Sequence, residues 1–287
     1  MKKSKKVIAL LMAAFVAVTT VPTQAKAAAG SEKHVLKLGT TYSNYDITGD
    51  GEADTIKVST YAEDKYVKEN GDLDHLKITV NGVTAYDKKF HGFSSADTTL
   101  LVGTDASYLV ATIDTGYDSN ELYILSWDAS KEKIEQCIEV SKEMMYIGNY
   151  LNTTLKSFSE DKVVFSYTIQ SESVGMCKGT VGCELSGGNA KLASRKSDIK
   201  IRKRTYKNGI EQVSYKATKL TAKNNIKIYK DVNKKKVVTT LKKNQKITVS
   251  KVYFNGKKVM LYGKTSKGKK GWFVSKYGIF KEVSLAG

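Results

Sequence analysis

Apolar and polar positions alternate with a period of two through most of this chain. Thr55–Tyr61 puts Ile56 and Val58 on one face, and Leu76–Val80 repeats the pattern before Asn81-Gly82, the strongest short hairpin signal. Tyr108–Ile113, Leu122–Trp127, Ile134–Val140 and Val163–Ile169 are further strand candidates, separated by turn residues. The segment Tyr61–Gly71 is polar enough to be a loop or one short helix. Towards the C-terminus the same alternation shortens. Ala217–Ala222, Ile226–Tyr229, Val237–Leu241, Gln245–Val252, Val259–Gly263 and Gly271–Val274 predict six short strands, and hence a small barrel. The fold class expected is all-β: a reduced propeller-like or sandwich-like N-terminal part and a small C-terminal barrel.

Composition agrees with a folded product. Hydrophobic residues make up 41% and charged residues 26%, enough for a core. Charge divides the chain. Residues 31–194 hold 15 Lys/Arg against 25 Asp/Glu, a net of −10, whereas 195–287 hold 27 against 4, a net of +23. Such asymmetry suggests separate domains with separate partners. The expected division is an acidic β domain at 31–194, a basic connecting segment at 195–216 and a basic β domain at 217–287.

The first 27 residues read as an export signal. Lys2, Lys3, Lys5 and Lys6 precede an apolar run, Val7 to Val18, and Ala25-Lys-Ala27 supplies small residues for cleavage. Twelve apolar residues fall short of the roughly 20 that a membrane-spanning helix needs. The expected location is outside the cell.

One loop carries candidate metal chemistry. In residues 46–54, oxygen-bearing side chains recur at every second position: Asp46, Thr48, Asp50, Glu52 and Asp54, with Gly49 and Gly51 between them. Hard cations such as Ca²⁺ are held by alternating oxygens of this kind, and a structural calcium ion is expected here. The EF-hand pattern needs Glu at position 12, where this chain has Lys57. The loop is therefore read as a strand-flanked turn.

Three cysteines are present. Cys177 and Cys183 bracket a Gly-containing pentapeptide that reads as a hairpin loop, so this pair is the disulfide candidate, with Cys137 left as a buried thiol. No Cys/His pairing, Gly-x-Ser-x-Gly or His-Glu-x-x-His pattern points to catalysis.

Asp46-Ile-Thr-Gly-Asp-Gly-Glu-Ala-Asp54 resembles the calcium loop of FG-GAP/VCBS-type repeats, found in integrin-like β-propellers and secreted bacterial proteins. That resemblance implies side-chain ligation by Asp46, Thr48, Asp50 and Asp54 and a carbonyl contribution from Glu52. Residues 217–283 resemble a bacterial SH3-like (SH3b) domain. The match rests on Asn225–Asp231, Val237–Val249 and Leu261–Val274 with its Gly271-Trp272 pair. Members often bind peptidoglycan, which implies wall affinity here, with Tyr229 and Trp272 as stacking candidates. Nineteen lysines face two acids in 217–287, and such a field concentrates polyanions. Lys234, Lys235, Lys236, Lys269 and Lys270 are the candidate contacts for wall polyanions or peptidoglycan. The function expected is that of a secreted, non-enzymatic binding protein. The alternative is an exported wall hydrolase or an accessory factor of one. Nucleic acid is not an expected partner, because the export signal removes the chain from it.

Overall fold

The computed structural model describes residues 31–283 apart from 117, 118, 160 and 257 and the side chain of residue 150. The expected export signal lies outside the described residues. Strands form where alternation predicts them. The first group is β1 (Glu32–Leu36), β2 (Thr41–Tyr45), β3 (Asp54–Tyr61), the short helix α1 (Lys65–Glu69), β4 (Leu73–Val80), β5 (Val83–Phe93), β6 (Ser95–Val102), β7 (Ser107–Gly116), β8 (Ser119–Asp128) and β9 (Lys133–Glu139). After α2 (Val140–Met144) come β10 (Asn149–Ser159), β11 (Lys162–Ser171), β12 (Gly175–Ser186), β13 (Asn189–Leu192), β14 (Lys196–Lys207) and β15 (Ile210–Lys216). The C-terminal group is β16 (Thr218–Thr221), β17 (Ile226–Tyr229), β18 (Val237–Leu241), β19 (Lys246–Phe254), β20 (Val259–Thr265) and β21 (Lys270–Val274).

Of the two N-terminal arrangements expected, the chain adopts the sandwich. A five-stranded sheet, β1-β6-β7-β8-β9, packs on a four-stranded sheet, β2-β3-β4-β5. Ile56, Val58, Leu76 and Ile78 meet Leu100, Leu109, Ala111 and Leu125 in their shared core. The hairpin signal at Asn81-Gly82 is realised: both residues have positive φ, 51° and 79°, which is the two-residue turn that joins β4 to β5.

The five-stranded sheet is buried on its other face as well. Leu101, Tyr108, Val110, Leu122 and Ile124 point into a second core with Val140, Met144, Phe165 and Tyr167. Burial on both faces explains why β7 and β8 read as continuous apolar runs (Tyr108–Ala111, Leu122–Leu125).

The rest of the chain forms one larger sheet. A twelve-stranded sheet runs β10-β11-β12-β14-β19-β20-β21-β17-β18, with β13, β15 and β16 paired alongside. The basic connecting segment at 195–216 is itself strand: β14 and β15 occupy it. Ser197, Ile199 and Ile201 alternate inwards and are buried, which overrides the lysines between them. At Lys196–Asp198 the strand pairs with β19, and at Ile199–Ile201 with β12. β14 therefore joins the last acidic strands to the basic module in one sheet, and one apolar core spans the junction. The six C-terminal strands run in the order β16-β19-β20-β21-β17-β18, and the end strands β16 and β18 do not pair, so the barrel expected is not closed.

The expected disulfide is also corrected. Cys177 and Cys183 both lie on β12, six residues apart on one uninterrupted strand, with Ile169 and Val163 opposite them on β11. At about 3.3 Å per residue they are ~20 Å apart, far beyond disulfide reach. Cys137, Cys177 and Cys183 are free thiols, and burial pushes Cys177 and Cys183 up to about 12. Unfolding without reductant is expected to release three alkylatable cysteines, counted by mass spectrometry. A pair that stays blocked until reductant is added would overturn this reading.

Candidate functional site

The 46–54 loop is organised by its own backbone. Gly49 (φ +80) and Gly51 (φ +89) supply left-handed turns that ordinary side chains rarely adopt. Their N–H groups donate to the Asp46 carboxylate at 2.6 and 2.9 Å, and Glu52 N donates to Asp50 Oδ1 at 2.9 Å. Asp54 is buried. It accepts from Ile47 N (2.7 Å), Thr48 N (2.8 Å) and Asn81 Nδ2 (2.6 Å). Ile47 anchors the loop in the sandwich core.

The five predicted positions thus share one loop, but their carboxylates do not converge. Among the described residues no group of three or more His, Cys, Asp or Glu side chains has an arrangement that could hold a metal ion. As placed, they do not form a calcium cage; Asp46 and Asp50 would first have to turn from their amide donors. The Thr48 hydroxyl is buried without a hydrogen-bond partner.

A second polar cluster stands on the four-stranded sheet. His75 Nδ1 contacts Asp87 at 2.7 Å and Nε2 contacts Glu63 at 3.2 Å, while Tyr61 stacks on the ring and donates to Asp87. Lys89 bonds Glu63 at 3.1 Å. Asp74, fully buried, accepts from the amides of Glu63 and Asp64. Burial works against the charged His75 ring, but Asp87 and Glu63 outweigh it and hold its pKa above the ordinary value. Burial likewise opposes the Asp74 charge, yet the two amides and Lys89 keep its pKa low, and the Lys89 bond lowers that of Glu63. The raised His75 value means its contribution to stability is complete below about pH 6.5 and fades as pH rises through that raised value. The lowered carboxylates contribute above their ordinary range of about 4 and lose it as pH falls. His75→Gln is therefore expected to flatten the decline in stability that sets in above about pH 6.5, measured by urea melts at a series of pH values from there upwards. An unchanged slope would refute the assignment.

The basic module presents its lysines at two ends. Lys234, Lys235 and Lys236 are exposed on the turn between β17 and β18, which Lys258 Nζ pins by a 2.7 Å bond to Val232 O. Lys269 and Lys270 lie at the β20–β21 turn, near the other end of β18. Here a shallow groove of about 290 Å³ is lined by Thr239, Thr240, Ser266, Lys246, Lys267 and Lys269, with Leu241 and further polar residues, and no acid lines it. The fold joins Lys269 to Lys246 and Lys267, which sequence reading did not single out, and separates it from Lys234–Lys236. Only pairing of β19 with β20 across the sheet creates that cluster, with Ile247 opposite Thr265.

Trp272 is 7% exposed and packs against Tyr262 (5.2 Å between ring centres) and Tyr253 (6.4 Å). Its ring serves the core and is not open for stacking on a ligand. Tyr229 lies opposite it in the β17–β21 pairing. Comparison of the chain with family models, with curated proteins and with solved structures gives no match.

Proposed function

We propose that this is a secreted, non-enzymatic binding protein, retained at a Gram-positive-type cell wall by its basic C-terminal module. The observation that carries the reading is the groove lined by Lys246, Lys267 and Lys269 without an acid, on a segment with 19 lysines against two acids. Hydroxyls of Thr239, Thr240 and Ser266 stand beside these cations and suit an anionic, hydrogen-bonding polymer such as a teichoic acid or peptidoglycan. The resemblance of 217–283 to SH3b domains supports the same assignment.

The test uses the whole mature chain, because β14 ties the module to the rest of the protein. Mixed with purified cell walls at low salt, the protein is expected to sediment with them and to be released as salt rises, since such contacts are screened. Lys246→Glu with Lys267→Glu and Lys269→Glu should lose retention while melting as the wild type does. A wild-type protein that stays in the supernatant sinks the proposal.

A structural calcium ion at 46–54 belongs to the same reading. The partnerless Thr48 hydroxyl supports it. Extracellular calcium modules bind at about 10⁻⁴–10⁻³ M, so a melting point unmoved by millimolar Ca²⁺ removes the ion from the account.

A further inference from the structure

Beyond Ile201, β14 leaves the sheet. Arg202–Lys207 pair with β15 alone, and β15 pairs with no other strand among the described residues. The result is a two-stranded ribbon closed by Asn208-Gly209, both at positive φ (52° and 79°). Almost all of it is exposed, including Tyr206 (70%), Ile210 (68%) and Val213 (47%). A lone hairpin is marginally stable in water, and this one has no core of its own to hold it.

Its charges indicate what it meets. Residues 202–216 hold five basic side chains and one acid, Glu211, a net of +4. All three arginines of the chain, Arg195, Arg202 and Arg204, lie within ten residues, and two of them are on this ribbon. The register puts Arg202, Arg204 and Tyr206 on one face, with Tyr215, Val213 and Glu211 opposite them. Glu211 engages Arg204 at 3.1 Å and Arg202 at 3.8 Å, one carboxylate for two guanidinium groups. Arg202 Nε is buried without a hydrogen-bond partner. Lys178 lies over the Tyr215 ring at 4.4 Å and pairs in register with Lys200, extending the cationic face down the sheet. The opposite face carries Lys203, Lys207 and Lys216 beside Thr205, Gln212 and Ser214, and no acid. Alternate residues of a strand stand ~6.6 Å apart, so Lys200, Arg202 and Arg204 form a ladder of cations along the first face.

We propose that the β14–β15 ribbon is an arm that grips a linear phosphodiester polymer of the cell wall. This inference rests on the wall-binding reading above and names its ligand and a second contact surface. Guanidinium groups bind phosphate through two parallel hydrogen bonds, which lysine cannot do, and the chain reserves its arginines for this region. A second copy of the chain is the poorer occupant. Two arms of +4 repel, and lysines at an open strand edge oppose edge-to-edge pairing.

The full mature chain is compared with Arg202→Gln/Arg204→Gln, with Arg202→Lys/Arg204→Lys and with the groove variant Lys246→Glu/Lys267→Glu/Lys269→Glu. Each is sedimented with purified walls, and with the same walls after chemical removal of their phosphate polymers. Wild-type retention is expected to fall on stripped walls. The glutamine variant should bind intact walls about tenfold more weakly, and the lysine variant should lie between, with melting points unchanged. If the glutamine variant binds as wild type while the groove variant does not, the arm is refuted and the wall-binding reading survives. Wild-type protein that binds neither wall refutes both. Equal retention on stripped walls, or tighter arginine-dependent binding to anionic lipid vesicles than to walls, overturns the phosphodiester-polymer assignment.

Discussion

Gly271→Ala is expected to destabilise the protein by about 3 kcal/mol, the upper end of overpacking costs. A Cβ at this position would press into the backbone oxygen of Tyr229 and lie 2.7 Å from Ile228 Cγ2. Neither neighbour is the free end of a flexible side chain. β21 touches β17 at this point, with Trp272 opposite Tyr229, and Phe273 beside it is fully buried. Relief would require the two strands to separate, which opens the core at Trp272 and Phe273. For a chain of this size the melting midpoint should drop by roughly 6–12 °C. Gly182→Ala is the control. Its Cβ would meet first the Lys162 Cε at 3.2 Å, a side-chain end that can move aside. Comparable losses in the two variants would refute the close-approach argument. The Gly-Trp pair that underlies the SH3b resemblance thus has a packing reason within this chain.

The second large effect is expected at Asp54. Truncation to alanine removes the acceptor for Ile47 N, Thr48 N and Asn81 Nδ2 at a buried position. Each orphaned donor costs about 1–3 kcal/mol, and partial relaxation brings the expected total to about 3–4 kcal/mol. Asn81 Oδ1 also accepts from Thr55 N, so the loss reaches the β4–β5 turn. Asp50→Ala separates a latch from a cation clamp. Asp50 is exposed and accepts one local bond from Glu52 N, so without calcium its removal should cost less than about 1 kcal/mol. Urea unfolding of both variants, with calcium chelated, measures the difference. Equal costs would refute the latch.

Much of the fold was legible because burial here follows alternation. β17 and β18 match their predicted spans, and β16, β19, β20 and β21 start or end within two residues of theirs. The failures have definite causes. In β12, glycines at 179 and 182 and a cysteine at each end resembled a turn. Instead, Gly179 leaves room for the Tyr167 ring and the Asp198 carbonyl, as a Cβ there would lie 2.8 Å from Asp198 O. In β14, a buried half with Ile199 and Ile201 is followed by an exposed half of arginines and lysines, and the charge run masked the strand. At the candidate site, the residues of 46–54 were found, but not that their carboxylates turn to amides, since that depends on Asn81 from another hairpin. The cluster of Lys246, Lys267 and Lys269 depends on register across β19 and β20, which local pattern does not encode.

β14 has one more consequence. A protein fixed to a surface through a flexible tether sweeps a volume set by tether length. In this chain the basic connecting segment is itself part of a continuous sheet, so it behaves as a bracket. On the wall-binding proposal, whatever the acidic sandwich meets would be met at a set height and angle, because β14 is held in register by β12 on one stretch and by β19 on the next.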